Sequence, residues 1–310
     1  MSALSGPLSE YLLVRRALGY KLERAEKLLG QFVSYCEAVE APLVTTELAV
    51  GWAKLPAEGG QFWWAQRLSV VRCFARWLQA QEPATEVPPA GVIGPVRPPR
   101  AVPYLYTDAE VSALMDATER LRWPLSRATY RALVGLLVVS AMRVGEAIRL
   151  DCADVDFGSG TLNVRCSKFG KSRLVPLHPS TVAALRAYAS RRDELCPEAK
   201  APSFFLSSAG TRLIYCNVSS LFRKLVGIAG LQARSSRCRP RIHDFRHLFA
   251  VSQLLNCYRS GGDVEALLPV LATFMGHSDP KHTYWYLSST PELLALVASR
   301  LERCAQERAR

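Results

Sequence analysis

Between residues 82 and 103 the chain carries seven prolines, Pro83, Pro88, Pro89, Pro95, Pro98, Pro99 and Pro103, with little periodic hydrophobicity between them. Each proline holds φ near about −65° and removes an amide donor, so neither a helix nor a central strand can run through the stretch. The 310-residue chain is therefore expected to break there, into a first domain over 1–82, an extended linker over 83–104 and a second domain over 105–310. With 49% hydrophobic residues there is ample material for two cores.

The first part reads as helical. Apolar residues recur at helical spacing through Leu8, Leu12, Leu13, Leu18, Leu22, Leu28, Leu29, Phe32 and Val33; a further segment runs from Thr46 to Trp52, and a fourth from Gln61 to Leu78. The run Phe62-Trp63-Trp64 opens that fourth segment, and core packing is favoured over base stacking for it.

The second part opens on a capping box, Thr107-Asp108-Ala109-Glu110, which predicts a helix through about Leu121. A second helix is expected from Ser126 to Met142. Val155, Leu162 and Val164, then Leu174, Val175 and Leu177, suggest short strands separated by Gly158-Ser159-Gly160 and Lys168-Phe169-Gly170-Lys171. Helices are expected over 180–192, 217–228, 244–258, 269–275 and 292–303. The fold class is therefore mainly α, a helical bundle followed by a mixed α+β domain with one small sheet.

The formal net charge of +12 is unevenly spread: residues 1–100 hold 11 Lys/Arg against 9 Asp/Glu, and residues 101–310 hold 28 against 18. From Arg212 to Arg246 there are eight basic residues and one acid, Asp244. Such a stretch attracts phosphates independently of base sequence, although a solvated basic loop would look the same.

Six residues of the second part could together break and rejoin a phosphodiester: Arg143, Lys168, His243, Arg246, His277 and Tyr286. Guanidiniums clamp non-bridging oxygens, imidazoles and an ammonium move protons, and a phenol is a covalent nucleophile; no metal ligand set is required. His243 and Arg246 are three apart at the start of a helix and share a face. Taken singly, each has a structural alternative. Arg143 could pair with Glu146, Lys168 competes with Lys171, His243 and His277 could cap helices, Arg246 could be a surface charge, and Tyr286 could be core packing like its neighbour Tyr284.

Their order and spacing resemble the tyrosine recombinase, or phage-integrase-type, family over roughly residues 105–300. Ser140-Ala141-Met142-Arg143-Val144-Gly145-Glu146 is similar to the family's first arginine box, with Glu146 at the supporting acidic position. Lys168-Phe169-Gly170-Lys171-Ser172-Arg173-Leu174-Val175-Pro176-Leu177 resembles its lysine-bearing β-hairpin, His243-Asp244-Phe245-Arg246-His247 the second box and Gly276-His277 the third. The family's nucleophile follows the third-box histidine by nine residues, which selects Tyr286 over Tyr284.

The resemblance implies a core-binding, SAM-like bundle ahead of a catalytic domain with a small antiparallel sheet. It implies double-stranded DNA as partner, a tetramer of the chain on DNA, no cofactor and no metal. Tyr286 would attack the scissile phosphate and form a 3′-phosphotyrosine. Arg143, Arg246 and His277 would stabilise the charge, His243 would act as base, and Lys168 would protonate the leaving 5′ oxygen. A type IB topoisomerase or a non-catalytic DNA-binding accessory protein are the rival readings; the intact set of six speaks against the second and the domain plan against the first. A metal-dependent nuclease is weaker still, for want of clustered ligands.

Nine cysteines without a C-x-x-C pair, and an N-terminus lacking the plan of a signal peptide, point to a cytoplasmic protein. The apolar run Ala132 to Ala141 is too short to span a membrane. After Tyr286, Leu293, Leu294, Val297 and Leu301 form an apolar stripe that needs a partner surface. Docking onto its own domain is one solution; the resemblance implies a neighbouring protomer as the other.

Overall fold

A computed structural model describes residues 3–96, 101–165, 172–277, 279, 281–288 and 291–308. The chain divides into two compact units, Met1–Arg100 and Ala101–Arg310.

The first unit is built of α1 (Ser5–Ala17), α2 (Glu23–Ala38), α3 (Thr46–Lys54) and α4 (Gly60–Leu78). Their apolar stripes meet in a core centred on Leu29, Phe32, Trp52, Leu68 and Phe74. Thr45 caps α3 by accepting from the amide of Leu48 at 3.2 Å. Trp63 and Trp64 are half-buried against this core, in line with the packing reading of the aromatic run.

The proline-rich segment is not a free spacer over its described part. Ile93 is buried in the bundle core and Val87 and Val96 pack against it. Two α4 side chains and its C-cap donate to its carbonyls: Arg72 to Pro88 at 2.9 Å, Gln61 to Ile93 at 2.9 Å and Gln79 to Thr85 at 2.8 Å. Prolines remove donors but leave every carbonyl free, so a helix bearing long donor side chains can hold such a strand without a ladder.

The second unit begins at the other end of that segment, where Tyr104 and Tyr106 are buried in its core. It contains α5 (Asp108–Ala117), α6 (Pro124–Ser140), α7 (Val144–Arg149), β1 (Val155–Asp156), β2 (Thr161–Val164), β3 (Arg173–Pro176), α8 (Pro179–Leu195), α9 (Tyr215–Ile228), α10 (Asp244–Arg259), α11 (Val264–Met275), α12 (Lys281–Tyr284), a 3₁₀ turn (Trp285–Ser288) and α13 (Pro291–Arg308). The capping box of α5 is formed, with Thr107 accepting from Glu110 N–H at 3.2 Å and Glu110 accepting from Thr107 N–H at 2.8 Å. The three strands make an antiparallel sheet in the order β1-β2-β3, Leu162 opposite Val175 and Val164 opposite Arg173. Leu162, Val164 and Val175 face the core while Leu174 is exposed, as the period of two requires. A column of rings, Tyr104, Tyr106, Phe245 and Phe222, with centroids 4.9, 4.6 and 5.7 Å apart, ties the entry strand to α10 and α9.

One sequence expectation is corrected here. The helix expected to start at Pro269 starts at Val264, capped by Asp263, whose carboxylate accepts from the amides of Glu265 and Ala266. Pro269 lies inside it and forgoes one bond, close enough to the N-terminus for the helix to continue. The apolar stripe of α13 also finds part of its surface at home: Leu293 is wholly buried in a core of the same unit with Val251, Leu254 and Met275, and Glu292 pairs with Arg259 at 2.5 Å. Leu294 remains exposed, and the side chain of Leu301 lies outside the described residues.

Among the described residues no helix is long and apolar enough to cross a membrane. Because Ile93 completes the first core, Ile93→Ala should lower the stability of that unit by about 2–4 kcal/mol. Urea unfolding followed by tryptophan fluorescence checks this, and an unchanged midpoint would show the segment to be a passive strap.

Candidate active site

The site is assembled around the C-terminal end of α11. Three successive carbonyls there each receive a different arginine: Phe274 from Arg173 Nε at 2.9 Å, Met275 from Arg246 Nη2 at 2.7 Å and Gly276 from Arg143 Nη2 at 3.2 Å. The helix ends in a Schellman motif, His277 N–H to the Ala272 carbonyl and Gly276 N–H to that of Thr273, both 2.9 Å, with Gly276 left-handed at φ 66°. A side chain at 276 would be strained, and its Cβ would lie 2.8 Å from Arg173 Nη1.

Arg143 caps α7 from an extended conformation, and Glu146 one turn on accepts its N–H at 3.0 Å. Arginine has no acceptor, so the reciprocal half of a capping box is missing; the Glu146 carboxylate instead takes guanidiniums. It binds Arg143 Nη1 at 2.7 Å and Arg173 Nη2 and Nη1 at 2.9 and 3.3 Å, and its side chain is 1% exposed. The structural alternative for Arg143, pairing with Glu146, is thus realised, yet its side chain keeps 27% exposure, enough to meet a ligand.

Arg246, on the first turn of α10, is buried and donates from Nη1 to the Ala141 carbonyl at 2.5 Å. Ala141 adopts φ 50°, unusual for a residue with a Cβ, where α6 ends and the chain turns into the arginine box. Burial first, and the charge of Arg143 next, lower the Arg246 pKa to about 10. The group remains protonated at neutral pH, but its charge is held at a cost.

His243 sits at the N-cap of α10, one turn ahead of Arg246, and keeps an exposed face. The protein packed around its ring, and then the charges of Arg246, Arg143 and Arg241, push its pKa down to about 4, opposed by Glu146. It is neutral at pH 7, and one ring nitrogen can accept a proton. Its neighbour Asp244 is fully buried and held by Arg241 at 2.7 and 3.0 Å, which fixes the start of the helix.

Of the two tyrosines only Tyr286 turns inward. It is 3% exposed against 52% for Tyr284. Its ring stacks on His277, centroids 6.3 Å apart and planes at 11°, and His277 Nδ1 is 2.7 Å from Thr283 Oγ1. His247 contacts both His243 and Tyr286, each at 5.4 Å between centroids, and Trp285 at 5.3 Å.

The structure thus brings together Arg143, Glu146, His243, Arg246, His277 and Tyr286, whereas Lys168 and its competitor Lys171 lie outside the described residues. Two members were missed by sequence reasoning. Arg173 was legible only as a basic residue on a strand, and the signal that could have found it is the period of two, which points it inward beside Val175. His247 could have been found at i+4 from His243, on the same helical face.

The phage integrase family matches residues 105–292 of this chain. The chain is 42% identical over 99% of its length to "Putative integrase/recombinase y4rB" of Sinorhizobium fredii, all of which is covered. It is 32% identical to tyrosine recombinase XerC of Pelotomaculum thermopropionicum over 75% of this chain and 72% of that one. In fold it resembles XerH site-specific recombinase bound to palindromic difH substrate, with a TM-score of 0.62 and 18% identity over 89% of this chain and 78% of that one. It likewise resembles a lambda integrase tetramer bound to a Holliday junction, with a TM-score of 0.59 and 19% identity over 91% and 76%. The chain belongs to the phage integrase family, the tyrosine recombinases, enzymes that cleave and rejoin DNA strands.

The lowered pKa of His243 has a measurable consequence. Between pH 6.5 and about 4 the unfolded chain binds a proton at this residue that the folded chain does not, so stability should fall as pH drops through that window and be unaffected above it. NMR titration of the DNA-free protein should place the His243 midpoint well below 6.5; a midpoint at or above 6.5 would contradict the electrostatics described.

Proposed function

We propose that the chain is a site-specific recombinase that cuts and rejoins double-stranded DNA through a 3′-phosphotyrosine on Tyr286. The observation that carries the reading is the charge of the cage: Arg143 and Arg173 pair with one carboxylate, Glu146, and these two together with Arg246 donate to three successive carbonyls. The excess of positive charge in a desolvated place is poised for an anion, and the stacked pair His277 and Tyr286 lies beside it.

With a phosphate in the cage, the Tyr286 oxygen bonds to phosphorus and the bond to the 5′ oxygen breaks. The phenolic proton passes to a base and a proton is delivered to the 5′ oxygen. His243 fits the base role because it is neutral before DNA arrives, and an anionic phosphate beside Arg143 and Arg246 would raise its pKa towards the useful range. Lys168 is the family's donor for the 5′ oxygen. Burial of Tyr286 means that DNA engagement must also uncover its hydroxyl. Because the phosphotyrosyl ester conserves the bond energy, a hydroxyl from another duplex can reverse the step, and a tetramer of the chain supplies the four strand ends. The setting is the cytoplasm.

Non-specific DNA contact rests on fewer residues than the eight basic positions of 212–246. Arg212 is held by Asp151 and by the Ile148 carbonyl, Arg234 by Glu110 and Arg241 by Asp244, and Arg246 is buried. Arg223, Lys224, Arg237 and Arg239 are exposed.

Tyr286→Phe should bind DNA as the unaltered chain does and form no covalent adduct in a denaturing gel shift, whereas Tyr284→Phe should retain the adduct. Loss in the Tyr284 variant alone would reassign the nucleophile. In anisotropy titrations across a salt series, Arg239→Ala should reduce the slope of log K against log salt by up to about 0.9. Arg212→Ala, whose charge is already satisfied by Asp151, should leave the slope unchanged.

A further inference from the structure

Arg173 adds charge to the cage but is given no contact with the phosphate in the reaction; its bonds all go to the protein. It opens β3 opposite Val164, and its side chain is 11% exposed. Nε reaches the Phe274 carbonyl, both terminal nitrogens reach Glu146, and the guanidinium packs where Gly276 has no side chain. A group so enclosed has little left to offer a DNA phosphate.

We propose that Arg173 is a positioning residue for strand cleavage: it clamps the C-terminal turn of α11 to Glu146 and thereby sets where Arg143 and His277 stand. This rests on the recombinase reading. The Glu146 carboxylate is shared between two guanidiniums. Without Arg173 the carboxylate keeps its bonds to Arg143 but loses the bridge to the Phe274 carbonyl, so the Arg143–Glu146 pair is held less tightly to the helix end. The Phe274 carbonyl adjoins the two that Arg246 and Arg143 use, so the same side chain orients the peptide planes leading into Gly276 and His277. The planar fork is needed, because an ammonium cannot span Glu146 and the Phe274 carbonyl together.

The test compares unaltered protein, Arg173→Ala, Arg173→Lys, Glu146→Gln and the double variant Arg173→Ala/Glu146→Gln. The probe is a nicked duplex spanning the site mapped by sequencing DNA covalently attached to the protein. Adduct formation is followed in single turnover, with half-site affinity and melting temperature measured on the same preparations. Arg173→Ala is expected to keep its DNA affinity while forming the adduct about 100-fold more slowly, the scale of a small misplacement of reacting groups. Arg173→Lys should fall between, and the double variant should be no slower than its slower parent, since both changes cut the same link. A duplex with a methylphosphonate at the scissile position should not restore Arg173→Ala.

Unchanged cleavage by Arg173→Ala, an affinity loss as large as the rate loss, rescue by the methylphosphonate or full additivity in the double variant would each overturn the proposal. The last but one would make Arg173 a phosphate ligand instead. Melting of both Arg173 variants below the assay temperature would reduce the residue to a structural role. Failure of the unaltered protein to form any adduct would instead strike the recombinase reading itself, so the two failures are distinct.

Discussion

Everything in the catalytic unit converges on the satisfaction of three carbonyls at the end of one helix. A helix C-terminus buried without donors is costly, and here Phe274, Met275 and Gly276 sit inside the protein. Cations are the best partners for that end, because the summed peptide dipoles leave it partly negative. Each arginine comes from a different element: Arg143 from the turn after α6, Arg173 from the sheet and Arg246 from α10. The helix end therefore acts as a common reference for three parts of the chain that have no local reason to meet.

Guanidiniums brought together this way repel one another, and the structure limits rather than removes the repulsion. Glu146 offsets part of it; a carboxylate so buried would be expensive unless paired, so it and the arginines are mutually dependent. What remains is an excess of positive charge, which adds to burial, the larger cause, in lowering the pKa of both Arg246 and His243. The strained φ at Ala141 belongs to the same arrangement, since that turn aims its carbonyl at Arg246. Stability is given up locally so that a phosphate finds donors already oriented, with no reorganisation needed when negative charge develops.

The parts of this that could be read in the sequence are those encoded by short-range chemistry. A capping box, a left-handed glycine at a helix end, and histidine and arginine three apart each carry their geometry in a few residues, and Thr107, Gly276 and the pair His243 and Arg246 are found as expected. The anchoring of the proline-rich segment was not legible, because it depends on which of its carbonyls Gln61, Arg72 and Gln79 reach, 32, 16 and 6 residues away. Arg173 was hidden for the same reason: its partners are separated from it by 27 residues in one direction or 101 in the other, and nothing local marks an inward-facing arginine. Arg212 and Arg234 in the basic stretch also looked freer than they are, since a run of sequence does not show that Asp151 and Glu110 lie across from them.

The choice between Tyr284 and Tyr286 shows how local and distant constraints combine. On an ideal α-helix residues two apart point about 200° from each other, so one tyrosine must face away. In the structure α12 ends at Tyr284 and a 3₁₀ turn begins at Trp285; winding of about 120° per residue would place the two side chains about 120° apart, closer than on an α-helix but still on different faces. The local rule predicts only that the two differ. Which one enters is decided by the partners waiting there: His277 offers a face to stack on, and His247 and Trp285 close the remaining sides. His277 is itself placed by the Schellman turn that the three arginines hold, so the orientation of Tyr286, the proposed nucleophile, depends on the same helix end as the guanidinium cage.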